Sequence, residues 1–153
     1  MMATIRLAQP ADRLAIEALV CAAYRPYVAR IGREPAPMLD DYAALIDKGF
    51  VNVLEEAECI SGIVVLVPEG RAMLLDNIAV SPSAQGGGRG RKLIAFAEAT
   101  ARAVGCEAIR LYTNVLMTEN LAIYRRLGFT ETHRGDENGY RRVYMAKRLH
   151  PDR

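Results

Sequence analysis

Three consecutive glycines, Gly86-Gly87-Gly88, stand between an extended apolar run and a helical repeat. Ahead of them, Ala72 to Val80 reads as a strand interrupted only by Asp76-Asn77. Behind them, from Gly90, the residues Leu93, Phe96, Ala97, Thr100, Ala101 and Val104 recur at helical spacing, with Gly105 as the C′ residue. Ala108 to Thr113 is then a second strand. A strand, a glycine loop, a helix and a strand in that order make a crossover, which favours parallel strands joined right-handedly.

The remaining segments fit around that unit. Thr4 to Ala8 reads as a first strand, and Pro10 with Asp12 opens a helix striped by Ile16, Leu19, Val20, Ala23, Tyr24 and Tyr27. Gly32 and Pro35-Ala36-Pro37 end it. Asp40 or Asp41 caps a short helix through Ile46 that stops near Gly49. Phe50 to Glu56 and Ile60 to Val67 are strands, the second apolar enough to be covered on both faces. Gly70 turns the chain into Ala72 to Val80 as an antiparallel neighbour. Thr118 or Asn120 begins a short helix ending at Leu127-Gly128. Phe129 to Arg134 and Arg141 to Arg148 form a hairpin around Asp136-Glu137-Asn138-Gly139. The fold class expected is α/β (α+β): a mixed, mostly antiparallel central sheet with one parallel β-loop-α-β crossover and helices on both faces. At 153 residues it is expected to be a single domain over 1–153.

The glycine loop suits an anion. Glycines turn tightly and let a ligand approach the backbone. The first N–H groups of the following helix have no internal partner, and the helix dipole favours negative charge there. Arg89 and Arg91 add positive charge. Two familiar phosphate loops are excluded by spacing. No Gly-Lys-Ser/Thr closes the loop, and counting from Gly86 and Gly88, Arg91 stands where a dinucleotide fingerprint needs its last glycine.

Gln85, Gly88 and Gly90 match a Q/R-x-x-G-x-G/A pattern, preceded by Ile78-Ala79-Val80-x-Pro82. Downstream, Tyr124-Arg125-Arg126-Leu127-Gly128-Phe129 matches Tyr-x-x-x-Gly-Phe at the usual separation. In these motifs and their order the chain resembles the GCN5-related N-acetyltransferase superfamily, over essentially its whole length and most specifically over 74–129.

The resemblance implies acetyl-CoA (coenzyme A) as co-substrate, with no metal. It implies that Ile78, Ala79 and Val80 pair with the pantetheine arm like an added strand. Backbone N–H groups of Gly86, Gly87, Gly88, Arg89, Gly90 and Arg91, with Gln85, would hold the pyrophosphate. Tyr124 matches the usual general acid, which protonates the departing thiolate; the other reading makes it a core aromatic beside Leu121 and Leu127. Asp76 occupies a strand position where many relatives carry Glu and is a candidate general base; the other reading leaves it bonded within the sheet. The family often has Asn seven residues before the tyrosine and Ala four before it. Here Met117 and Asn120 stand there, so the pantetheine contact falls to Asn120 or Asn114, or is absent, and Asn120 equally suits a helix start. Tyr24 to Tyr42 would cover the acceptor, although each tyrosine there is also a natural core residue.

Composition excludes other classes. Twenty Lys and Arg against 18 Asp and Glu leave +2, too balanced for a nucleic-acid or membrane partner on charge alone. Cys21, Cys59 and Cys106 form no CxxC pair; Cys21 and Cys106 read as core thiols, and a reducing cytoplasm is the simplest location. The start, Met1 to Arg6, lacks the pattern of a signal peptide. His133 and His150 read as structural or surface residues, and Arg141-Arg142 as an outward pair. The partners expected are acetyl-CoA and an amine acceptor, and homodimers are common among relatives. The competing reading is a non-catalytic acyl-CoA-binding regulatory module.

Overall fold

The computed structural model describes residues 3–149; Met1, Met2 and residues 150–153, His150 among them, lie outside these. Among the described residues seven strands hydrogen-bond in the order β1-β2-β3-β4-β5-β7-β6. They are β1 Thr4–Leu7, β2 Val51–Glu56, β3 Cys59–Glu69, β4 Ala72–Val80, β5 Ala108–Asn114, β6 Thr130–Glu137 and β7 Tyr140–Arg148. The β4–β5 pair is parallel; β1–β2, β2–β3, β5–β7 and β6–β7 are antiparallel. Among the described residues five α-helices connect them: α1 Arg13–Tyr24, α2 Pro26–Ile31, α3 Tyr42–Asp47, α4 Arg89–Ala103 and α5 Thr118–Arg126. The mixed sheet with one parallel crossover agrees with the sequence reading. The chain divides into two compact units: residues to Leu66 with Asn77–Ala97, and Val67–Asp76 with Glu98 onward.

In the first unit, α1 buries Ile16, Leu19, Val20 and Tyr24, following the predicted stripe. The stripe runs on to Tyr27, but the helix does not. Pro26 has no N–H to continue the ladder, so α1 stops at Tyr24 and α2 restarts at Pro26. Asp41, one of the two predicted caps, accepts a hydrogen bond from Ala44 N at 3.1 Å. Val51, Val53 and Leu54 of β2 and Ile63, Val64 and Val65 of β3 are fully buried. The two neighbouring carboxylates at the end of β2 take different arginines. Glu55 pairs with Arg6, which also holds Asp12, and Glu56 pairs with Arg89.

In the second unit, β6 and β7 turn through Asn138-Gly139, both at positive φ (53° and 83°). That two-residue turn matches strand twist, so β6 extends to Glu137, past the predicted end at Arg134. Phe129, Ile109, Val143 and Met145 are buried. Gly105 follows α4 at φ 84° as its C′ residue. Gly128 follows α5 at φ 97°, and a Cβ there would lie 3.1 Å from Lys147 Cε. Lys147 Nζ needs that approach, because it donates to Leu127 O at 2.8 Å and to Glu98 Oε2 at 3.1 Å.

Arg142 corrects one expectation. Adjacent strand residues face opposite sides, so Arg141 is exposed while Arg142 is buried over the Tyr112 ring, 4.1 Å from its centroid. Of the cysteines, Cys106 is buried as expected, Cys21 is half-buried and Cys59 exposed. No helix among the described residues is long and apolar enough to cross a membrane.

Candidate active site

The glycine loop lies in the first unit. After β4, Ser81 N donates to Ser61 O at 2.8 Å, and a 3-10 turn at Pro82–Ala84 leads into the glycines. Gly86 and Gly88 sit at φ 88° and 79°, a conformation that excludes ordinary side chains, and α4 begins at Arg89. The first turn of α4 carries no acidic residue. Its N–H groups and dipole therefore face no carboxylate from the helix itself, and Arg91 and Lys92 are exposed beside them. These groups fit a pyrophosphate.

The predicted side chains at this loop divide in role. Gln85 Nε2 donates to Val80 O at 3.2 Å and so ties the loop to the end of β4. Arg89 does not extend toward solvent. Its Nε and Nη2 donate to the two oxygens of Glu56 at 2.7 and 2.9 Å, and its Nη1 donates to Ala84 O at 2.8 Å. The Arg89 guanidinium holds the Glu56 carboxyl below its ordinary range, and Glu56 raises Arg89 in turn.

The end of β4 shows which of its residues can take an added strand. Because Ser81 N addresses Ser61 on β3, the two-residue period turns the backbone of Ala79 toward β3 as well. Ile78 and Val80 address the opposite edge. The Tyr24 hydroxyl donates its one hydrogen to Asn77 Oδ1 at 2.7 Å, with Ile78 O also within reach of Oη at 3.1 Å. Asn77 Nδ2 donates to Tyr42 Oη at 2.9 Å, and Tyr42 donates to Pro37 O at 2.6 Å. Asn77 is 4% exposed. This buried network makes Tyr24 and Tyr42 supports of β4. The sequence carried one trace of it: an amide inside an apolar strand needs buried partners.

Asp76 and Tyr124 lie in the second unit. Asp76 Oδ1 accepts a hydrogen bond from Tyr112 Oη at 2.7 Å. Tyr112 faces Tyr144 across the β5–β7 register, and Tyr144 faces His133 across β7–β6. The Tyr112 and Tyr144 ring centroids are 5.9 Å apart, and His133 stacks on Tyr144 at 4.3 Å. Glu137 Oε2 accepts from Arg142 Nη1 at 2.8 Å and from Tyr144 Oη at 2.9 Å. A row of rings thus runs across three strands from the Asp76 carboxylate. Sequence reasoning missed Tyr112, which carries no motif and is recognisable only through the strand register.

Tyr124 is half-buried on α5, unlike its buried neighbour Leu121, and its ring meets Phe129 edge-on at 5.8 Å. Its carbonyl accepts from Phe129 N at 3.0 Å, which binds the Tyr-x-x-x-Gly-Phe segment into one turn. Asn120 is half-buried in the first turn of α5 but is not its cap; Met117 holds that position. Asn114 Oδ1 accepts from Leu116 N at 2.9 Å and closes the turn before α5. Among the described residues no group of three His, Cys, Asp or Glu side chains could hold a metal ion.

The sequence model of the acetyltransferase (GNAT) family matches residues 15–129, three quarters of the chain, with both the glycine loop and Tyr124 inside the match. The chain belongs to this family. Family membership supports acetyl-CoA as the co-substrate. A curated relative, IAA acetyltransferase from Azospirillum brasilense, is 36% identical over 70 residues, so the match spans about half of each protein, 46% of this chain and 46% of that one. Two solved structures share the fold. PaiA N-acetyltransferase from Thermoplasma acidophilum, in complex with coenzyme A, superposes with a TM-score of 0.82 at 16% identity, covering 97% of this chain and 100% of that one. IAA acetyltransferase from Bacillus cereus gives 0.71 at 22% identity, with the same coverage.

Proposed function

We propose that this acetyltransferase moves the acetyl group of acetyl-CoA to a primary amine by direct attack on the thioester. One observation carries the reading: a single family match holds the Gln85–Gly90 loop at the start of α4 in register with Tyr124 on α5. The pyrophosphate is read onto the backbone from Gly86 to Arg91, and pantetheine onto the backbone edge of Ile78 and Val80, with Asn120 as a side-chain contact. Ala79 serves this role less well, since its backbone turns toward β3. The cysteines support direct transfer, because none lies in β4, in the loop or in α5.

The acceptor nitrogen must lose its proton before attack. Asp76 is the base in this reading, directly or through one water, with Tyr112 donating to its Oδ1. The neutral amine adds to the thioester carbonyl, and the carbon–sulfur bond of the tetrahedral intermediate breaks. The electron pair leaves on sulfur, Tyr124 donates its phenolic proton there, and the second proton that the nitrogen sheds as the amide forms restores the tyrosine phenol through solvent. A phenol with an ordinary pKa of ~10 suits a thiolate leaving group.

The proposal treats 1–153 as a single domain, supported by a family match that draws on residues of both units. A cytoplasmic location rests on the three widely spaced cysteines, and a partner set without nucleic acid or membrane on the charge balance of +2. Incubation with acetyl-CoA and a broad panel of primary amines, following free thiol, tests the reading. Acceptor-dependent CoA release is expected. CoA binding without release for any acceptor would support the regulatory module instead.

A further inference from the structure

The Arg89 side chain stands in the coenzyme loop, yet its charge is spent within the protein. Glu56, 33 residues earlier at the end of β2, engages it with both carboxylate oxygens at 2.7 and 2.9 Å. Such two-pronged, charge-assisted pairs are the stronger and more directional kind. Side-chain exposure of 29% for Arg89 and 25% for Glu56 sets the pair apart from freely solvated surface pairs. The third nitrogen, Nη1, reaches back to Ala84 O at 2.8 Å, so the guanidinium spans the loop from its first turn to β2.

Gly87 supports the same arrangement. Unlike Gly86 and Gly88 it is not at positive φ, so its backbone alone does not require glycine. A Cβ at Gly87 would lie 2.5 Å from Arg89 Nη1. Arginine tips usually move aside cheaply, but this one is held by three hydrogen bonds. The absence of a side chain at 87 gives the folded-back guanidinium its space. Glu56 is also positioned deliberately. The β2–β3 register shifts between Leu54 and Glu55, leaving Ser61 as the extra residue on β3. Ser61 Oγ then lies 3.4 Å from Glu56 Oε1, and Ser61 O receives Ser81 N from the start of the loop.

We infer that Glu56 is a positioning residue for the coenzyme: by holding Arg89 across the loop, it fixes the Gly86–Gly90 backbone so that N–H groups, and not the arginine head, meet the pyrophosphate. This rests on the coenzyme reading of the loop. Without Glu56 the guanidinium is free to swing, and the loop pays an ordering cost on each binding event.

Calorimetric titration of the full chain with CoA tests the inference, using Glu56→Gln, Arg89→Lys and the double variant, with thermal melts to confirm folding. Glu56→Gln is expected to weaken CoA about tenfold, and Arg89→Lys by a similar factor. The double variant is expected to be no weaker than the worse single one, as for two ends of one contact. Pantetheine, which lacks the pyrophosphate, is expected to bind the wild type and Glu56→Gln equally. Unchanged CoA affinity in Glu56→Gln would overturn the inference. Tighter CoA binding would also overturn it, by showing that Glu56 competes with the pyrophosphate for Arg89. Failure of the wild type to bind CoA would instead remove the coenzyme reading itself.

Discussion

Tyr112 donates its phenolic hydrogen to Asp76 Oδ1 at 2.7 Å, a bond between neighbouring parallel strands 36 residues apart in sequence. The β4–β5 register runs from Ala72↔Ala108 to Leu75↔Leu111, and Asp76 and Tyr112 are the next residues on each strand. The carboxylate proposed as the base is therefore oriented from the side by a tyrosine that Arg142 covers. Asp76→Asn is expected to lower kcat/KM by about a hundredfold or more, in the range for loss of a general base. Tyr112→Phe keeps the base and removes its hydrogen bond, for an expected loss of roughly tenfold. Steady-state kinetics with the best acceptor would separate the two, and equal losses would argue against an orienting role for Tyr112.

The buried Asn77 amide joins Tyr24, Tyr42 and, through Tyr42, Pro37. Asn77→Leu removes the middle of that chain while leaving both hydroxyls in place. It is expected to lower unfolding stability by about 2 kcal/mol, measured by denaturant titration. Tyr24→Phe removes only one end and should cost less. A neutral Asn77→Leu would mean that the network contributes nothing to stability.

Two glycines of the loop should behave oppositely. Gly88 is at φ 79°, whereas Gly90 lies inside α4 with nothing within 4 Å of a Cβ. Gly88→Ala is expected to cost about 1 kcal/mol and to weaken CoA. Gly90→Ala is expected to raise stability by about 0.5–1 kcal/mol with CoA affinity nearly unchanged. Thermal melts and CoA titration on both variants check the contrast.

Asp12 accepts from Arg6 at 2.8 and 3.1 Å and from Gln9 N at 2.8 Å. The Arg6 hydrogen bonds hold its carboxyl below the ordinary carboxylate range. A folded pKa below the unfolded one makes the stabilising contribution full above the unfolded value near ~4 and lost as pH falls through the folded value. The melting temperature of the wild type should therefore drop between pH 5 and 2, by the usual span of such carboxylates. Asp12→Asn should show a shallower drop over that window. Parallel slopes would show that Asp12 does not contribute.

How far this was legible in the sequence depended on how local the determinants are. The glycine loop was readable because positive φ and a helix start are written in adjacent residues, as at Gly86, Gly88 and Gly90. Gly105 and the Asp41 cap were readable for the same reason. The break at Pro26 was missed because the apolar stripe continues in phase through Tyr27, and period alone does not register a missing N–H. Arg142 was misread as half of an outward pair although strand alternation separates neighbours. Glu56 with Arg89, and Tyr112 with Asp76, join residues 33 and 36 positions apart, and only the folded register brings them together.

The most direct measurement of the account is the turnover of Tyr124→Phe beside its affinity for CoA. The substitution keeps the ring that meets Phe129 and removes only the hydroxyl. The account predicts that kcat falls by about a hundredfold or more while the Kd for CoA stays within about twofold. Wild-type turnover in Tyr124→Phe would contradict it.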